Sequence, residues 1–543
     1  MAETREKNFL KGAAILAASA VIAKLVGALF KIPLYNLLGA DGTAHFNKTY
    51  QIYTLLLAIS YSGIPVALSR LISASADAGN TRQVSRYHKA ALPAFAAIGA
   101  VVSALMFVFA PQLSEFVKDP QAAAGIRLLS PAVFLCCVVS VYEGYFQGYG
   151  DMLPTAVKQF LEVMCKLVFG MAVAVILLRR GASSAVTAAG AITGSVIGLL
   201  VALPVLMAYK RKRERRAPRA SESGGGAVMS ARKTLFTVFK VSVPITLGAS
   251  FMSILTLFDS RVVSSRLEFS GLAHEAAISK FGIYSQCQTL FTLPPSLISA
   301  ITISVLPAIS AAAAGRRSGE ARGITESAMK LVCLVAMPAA VGISVLSGPI
   351  FRAFYGASAE AAADGARILA ILGAASFFAC AQLLTTAVLQ AHGRERVPMA
   401  TFAIGGAAQL ALDYILVGDG RIGIIGSPVG TLACYALITV LNLIFIKLKI
   451  PEPPRALRAA ARPLVVSAVM GAAAYFVYEL ARRFIIPALG EGRRAEIAAL
   501  APAVIAAVVV YAALAVAARA VTRDDLKYVP RGERIADFLR LPR

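Results

Sequence analysis

Apolar stretches alternate with short polar segments from one end of the chain to the other. Fourteen of them reach the roughly 20 residues that an α-helix needs to cross a bilayer. They run over 11–35, 46–69, 91–112, 128–149, 155–178, 186–209, 236–260, 277–309, 327–347, 366–390, 398–417, 424–446, 461–481 and 496–518. The pattern predicts an all-α polytopic membrane protein with about fourteen transmembrane helices. The first run is too long for the apolar core of a signal peptide and has no small-residue cleavage site, so it is expected to remain as a helix.

The polar segments divide these spans. "KRKRERRAPRASESGGG" at 210–226 is basic, then Ser/Gly-rich, the composition of a flexible linker. The two sides of the linker resemble each other. "YFQGYGDMLPTAVKQFLEV" from 145 aligns with "VLQAHGRERVPMATFAIGG" from 388, setting Gln147 on Gln390, Gly150 on Gly393 and Pro154 within one place of Pro398. Upstream, "GIPVALS" around Pro65 matches "SVLPAIS" around Pro307. The repeat predicts two pseudo-symmetric six-helix lobes, 1–209 and 234–450, joined by a basic cytoplasmic linker at 210–233. Two further spans at 451–520 and a basic tail at 521–543 follow. Parallel repeats of this kind can rock around a central site.

Composition agrees with the pattern. The 543 residues are 58% hydrophobic and 15% charged, which excludes a soluble domain of this size. The net charge of +25 could suit nucleic acid. The Lys and Arg residues, however, concentrate in the loops on the side of the N-terminus, so the positive-inside rule accounts for them and puts both termini in the cytoplasm. Arg179, Arg180 and the arginines around 482–494 are exceptions, expected outside. All seven cysteines lie in apolar runs and read as small buried hydrophobes. The four histidines form no metal-ligand spacing, and nucleotide, metalloprotease and serine-hydrolase motifs are absent. Neither an enzyme nor a cofactor is expected.

Several charges interrupt the apolar runs, at about 2.5–3.5 kcal/mol each near a helix centre. The first half carries Lys24, Lys31, Lys48, Glu143, Lys158, Glu162 and Lys166, a surplus of cations. Lys158, Glu162 and Lys166 are spaced by four, so a helix stacks them on one face. Lys31 and Lys48 stand near the outer end of their spans and Lys158 near the inner end, where long side chains can reach water. Lys24 and Lys166 are deeper; Lys166 lies roughly 18 Å past Pro154 at the helical rise. Glu162 can neutralise one neighbouring lysine but not both. The second half is less loaded, with Asp259, Arg261, Lys280 and Asp413. These charges leave a place for an anionic ligand. Gly27, Pro33 and Gly63-Ile64-Pro65 mark candidate bends.

"GIPVALSRLIS" (63–73) and "EGYFQGYGDMLPTAVKQFLEVMCKL" (143–167) resemble the stage V sporulation protein B group of polysaccharide-biosynthesis transporters. That group belongs to the multidrug/oligosaccharidyl-lipid/polysaccharide exporter superfamily and is related to MurJ-type lipid II flippases. The resemblance extends over nearly the whole chain. It implies alternating-access flipping of an undecaprenyl-pyrophosphate-linked saccharide, such as lipid II, across the bacterial cytoplasmic membrane. Membrane lipids, and a coupling ion if the cycle uses one, complete the expected partners of a monomeric chain. The expected substrate-binding residues are Lys24, Lys31, Lys48, Glu143, Lys158, Glu162, Lys166 and Arg261. Glu143 departs from the group, whose sequences carry arginine there in an RGYFQG-like motif. A multidrug cation antiporter of the same superfamily is the main alternative; it calls for acidic residues where this chain places Lys24 and Lys31. A membrane glycosyltransferase and a non-transporting cell-wall scaffold are the other classes weighed. The first lacks a sizeable outer loop, and the second leaves the intramembrane cations unexplained.

Overall fold

The computed structural model describes the backbone of residues 2–216, 228–315, 317–356, 358–490 and 492–518, and their side chains except at 2–25, 28–29, 77, 216, 248–249, 252, 300, 303–304, 307 and 456–459. Much of the predicted 210–233 linker and the whole 521–543 tail therefore lie outside the described residues.

The described residues form helices and no strand. Eleven helical segments are long and apolar enough to cross a membrane. They include one 47-residue segment, Phe30–Ala76, that contains both a turn at Gly39 and a break at Ser62. The remaining expected spans fall on the first limb of α1, on α9 and on the α10–α11 pair.

The chain divides into two compact units, Met1–Ser265 and Arg266–Arg543. The first opens with α1 (Ala2–Tyr61), a helical hairpin. Gly39 turns it, at φ 70 and ψ −172, in a region open chiefly to glycine. The Phe30 and Phe46 rings consequently meet with centroids 6.2 Å apart, whereas an unbroken helix would separate them by about 24 Å. Span 11–35 falls on the first limb, and span 46–69 takes in the second limb and the start of the next helix. After a break at Ser62 come α2 (Gly63–Asp77), α3 (Thr81–Val108), α4 (Ala110–Phe116), α5 (Ala123–Gly148) and α6 (Leu153–Cys165). A π-helical turn at Lys166–Gly170 leads into α7 (Met171–Arg179), then α8 (Ser184–Arg216) and α9 (Ala231–Phe269), which runs across the division between the units.

The break at Ser62 lets α9 come close. A methyl on Gly63 would sit 2.2 Å from the Ser242 carbonyl oxygen, and the Gly63 N–H donates to Thr246 Oγ1 at 3.1 Å. Only glycine permits this approach.

The second unit holds α10 (His274–Phe291), α11 (Leu293–Ala314), α12 (Ser318–Val345), α13 (Ser347–Tyr355), α14 (Ala359–Ala391), α15 (Arg396–Leu416), α16 (Gly426–Lys449), α17 (Ala456–Leu489) and α18 (Arg493–Ala517). A break at Thr292, just before Pro294 and Pro295, divides the expected span 277–309. Pro307, matched to Pro65 by sequence, lies well inside α11. The break of the second unit thus lies at Pro294 and Pro295 and not at the proline matched to Pro65. The last two helices join the second unit through α12, where Tyr511 donates to the Leu334 carbonyl at 2.7 Å, and through α13. Arg352 donates to Glu496 at 2.7 Å and to the Tyr478 hydroxyl at 3.1 Å, and Tyr478 donates to Glu496 at 2.7 Å. All seven cysteines are buried thiols outside any disulfide.

Candidate functional site

Three glycines on α8, at 190, 194 and 198, present a smooth face to the α6–α7 span. A Cβ on Gly194 would lie 2.6 Å from Gly170 N, and one on Gly198 would lie 2.9 Å from Glu162 Cα. Small residues at this spacing let membrane helices approach backbone to backbone. That approach brings the π turn, which starts at Lys166, beside Ser195. π turns are uncommon and recur at functional positions.

Two polar groups form on this span. In the first, Lys158 lies 2.9 Å from Glu162 and 3.6 Å from Glu143 on α5. Glu143 is 2% exposed and Lys158 is 6% exposed. The Tyr61 hydroxyl, at the break after α1, donates to Glu143 at 2.7 Å. Two carboxylates therefore share one ammonium. The expectation that Lys158 reaches cytoplasmic water is not met: burial between α5 and α6 removes it from solvent. Glu143 takes Lys158 as its partner, a pairing across helices that linear spacing cannot express.

The second group surrounds Lys166. Its ammonium donates to the Tyr50 hydroxyl at 2.8 Å and lies 4.0 Å from the centre of the same ring. The rings of Phe30 and Phe46 each stand 5.6 Å away. Ser195 Oγ on α8 hydrogen-bonds Tyr50 from its other side. Among the described residues no carboxylate pairs with Lys166; aromatic faces, whose negative quadrupole attracts cations, take that place. Lys31, on the first limb of α1, is within electrostatic reach of Lys166, so two like charges share this region.

Lys48 and Arg261 do not join either group. Lys48 is fully buried and donates to the Lys118 carbonyl at 3.0 Å. Arg261 donates to the Phe116 carbonyl at 2.9 Å, with its guanidinium 4.3 Å from the Phe116 ring centre. Both hold the turn after α4, where His45 also meets Asp119 at 2.7 Å. The Lys118 carbonyl supplies the partner that water would have given to the buried Lys48 ammonium. Lys24 lies outside the described residues.

Sequence reasoning missed Tyr50, Tyr61, Ser195, Phe30 and Phe46. A tyrosine in an apolar span carries no charge to mark it, and Phe30 and Phe46 become neighbours only through the turn at Gly39.

The second unit has a neutral counterpart. The repeat alignment that sets Gln147 on Gln390 sets Glu143 on Thr386 and Lys158 on Thr401. There Thr401 donates to Asn442 at 2.8 Å, and the Asn442 amide donates to Thr385 and Thr386 at 3.2 Å each. Gln382 donates to Thr386 at 3.0 Å.

Comparison with known proteins places these features in context. Residues 9–313 match the Polysaccharide biosynthesis protein family. The lipid II flippase MurJ of Bacillus subtilis (strain 168) is 26% identical over 93% of this chain and 94% of its own length. Stage V sporulation protein B of the same organism is 25% identical over 97% of this chain and 98% of its own. Among solved structures, lipid II flippase MurJ in an inward closed conformation superposes with a TM-score of 0.66 at 14% identity, covering 92% of this chain and 98% of that one. The likeness in structure extends to the fold of both units. With its family match spanning more than half the sequence and its multi-pass all-helical fold, the chain belongs to the Polysaccharide biosynthesis protein family.

Proposed function

We propose that this protein flips an undecaprenyl-pyrophosphate-linked saccharide, lipid II or a related cell-wall precursor, across the bacterial cytoplasmic membrane by alternating access. The observation that carries the reading is Lys166. An ammonium half-withdrawn from water inside a span normally sits beside a carboxylate; that of the half-buried Lys166 rests on aromatic faces, with Lys31 near by. Two cations with no carboxylate partner among the described residues suit a pyrophosphate, for which lysine acts as a point charge. The lipid tail stays in the bilayer while the headgroup passes. Lys24, deep in the first span, is proposed as a further contact. Both termini and the 210–233 linker face the cytoplasm in this reading, on the distribution of loop charge.

The relatives named as flippases support a lipid-linked substrate. At the Lys158 group a cation exporter would need free carboxylates, whereas Glu143 and Glu162 there already share Lys158. Reconstitution in vesicles with fluorescent lipid-linked precursors tests the proposal directly. Protection of the labelled headgroup from an external quencher should change with time in vesicles holding the protein and stay at the background rate in empty ones. Transport of a cationic dye with no movement of the lipid precursor would favour the antiporter instead. Impermeant thiol labelling of residue 222, placed as a lone cysteine in a cysteine-free chain, checks the orientation: labelling from outside intact cells reverses it.

A further inference from the structure

A cavity of about 230 Å³ lies within the second unit, among α12, α14, α16 and α17. Its walls include Cys333, Phe377, Phe378, Ala381, Leu443 and Ala460. The two hydroxyls in the lining are already committed, Thr439 to the Phe378 carbonyl at 3.0 Å and Thr385 to the Ala381 carbonyl at 3.0 Å. Nothing in the wall therefore asks for water, and apolar cavities of this size stay dry and take up hydrocarbon. Val440, also in the lining, is 49% exposed, so the cavity reaches the lipid-facing surface of α16.

Charge at the same end of these helices selects the occupant. Lys447 is exposed and follows Leu443 by one helical turn on α16, on the same face. Arg462 is exposed near the start of α17, at the same end of the bundle as Lys447. An apolar slot with cations beyond its rim matches a molecule with a hydrocarbon chain and an anionic head. We propose that the cavity holds one acyl chain of an anionic membrane phospholipid, with the headgroup at Lys447 and Arg462. The site is separate from the Lys166 group and independent of what the protein transports.

The sequence contains no tryptophan, which makes the test clean. Phe378→Trp places a single emitter in the cavity wall, and Phe377→Trp serves as a second reporter should the first fold poorly. The variants are set in nanodiscs containing phosphatidylglycerol or phosphatidylcholine with brominated acyl chains. The expected result is saturable quenching at low mole fraction, favouring phosphatidylglycerol. Each cation near a membrane surface supplies about fivefold of such preference, so Lys447→Gln and Arg462→Gln should each reduce it by about that factor. Ala381→Phe, which fills the cavity, should abolish the saturable component. Phe476→Trp, on an exposed face of α17, reports bulk lipid and should quench in simple proportion to the brominated fraction. Quenching of the cavity reporter that follows the Phe476→Trp curve, or that survives Ala381→Phe, overturns the proposal. So does displacement of the brominated phospholipid by trace polyprenyl phosphate, which would make the cavity a seat for the transported lipid's tail.

Discussion

The two units solve one packing problem with opposite chemistry. Across α5 and α6 the first unit joins its helices with a charged group, Glu143, Lys158 and Glu162, closed by Tyr61. At the repeat-related positions across α14, α15 and α16, the second unit uses Thr386, Thr401 and Asn442, with Thr385 and Gln382. Neutral hydrogen bonds between membrane helices are inexpensive to bury and individually weak, averaging about 0.6 kcal/mol in double-mutant cycles. A buried ion pair is costly to desolvate and contributes little net stability over an apolar replacement, yet breaking it by removing one partner is severe. The charged version therefore needs a reason other than stability. The nearby Lys166, held on aromatic rings one turn beyond Glu162, is the reason we propose: the first unit carries the anion-handling surface, and the second is a neutral partner.

The largest test of this contrast is Lys158→Gln. It leaves Glu143 buried without its counter-charge, and stability should fall by about 3–5 kcal/mol. Thermal unfolding in detergent reads this as a large drop in Tm or as lost yield. The double change Glu143→Gln with Lys158→Gln makes the first unit resemble the second and should recover most of the loss. Failure of the double variant to recover would mean that charge itself, not its balance, holds α5 to α6.

Lys166→Gln should act in the opposite way. Among the described residues its ammonium has no anionic partner to strand, so Tm should change little while precursor flipping falls about tenfold, equivalent to about 1.4 kcal/mol. Lys166→Arg should restore only part of it, because a planar guanidinium does not fit a point-charge position against Tyr50. A large stability loss with normal flipping would make Lys166 a strut.

In the second unit, Asn442→Leu removes the hub between Thr401 and Thr385 and leaves hydroxyls to find other acceptors. The expected cost is about 1–3 kcal/mol with flipping per folded molecule unchanged. Thr386→Val should cost about 1 kcal/mol or less. The smallest expected stability effect is that of Glu162→Gln, whose side chain keeps 29% exposure and retains a hydrogen-bonding amide opposite Lys158. Substrate affinity should hold or rise, since one negative charge near Lys166 is gone; a marked fall would assign Glu162 a direct role with a cation.

Much of the architecture was legible in the residues. Apolar runs of bilayer length, broken by short polar loops, admit few folds other than a helical bundle, because backbone groups inside a membrane must be satisfied within the segment. The unusual face of the α6 span was visible too, since the spacing of Lys158, Glu162 and Lys166 is a local property of one helix. Which partner each charge takes was not. Glu143 and Lys158 meet because α5 packs on α6. Phe30 joins Phe46 because Gly39 reverses the chain, and Ser195 reaches Tyr50 because the glycines of α8 let the helices close. Lys48 and Arg261, grouped with the site by sequence, went instead to the carbonyls after α4. Sequence alone determined where charge enters the membrane, since that is fixed by composition along a single span. Only tertiary structure decided how the charge is met, because counter-charges, ring faces and carbonyls arrive from helices distant in the chain, and desolvation makes every buried ion depend on that arrangement.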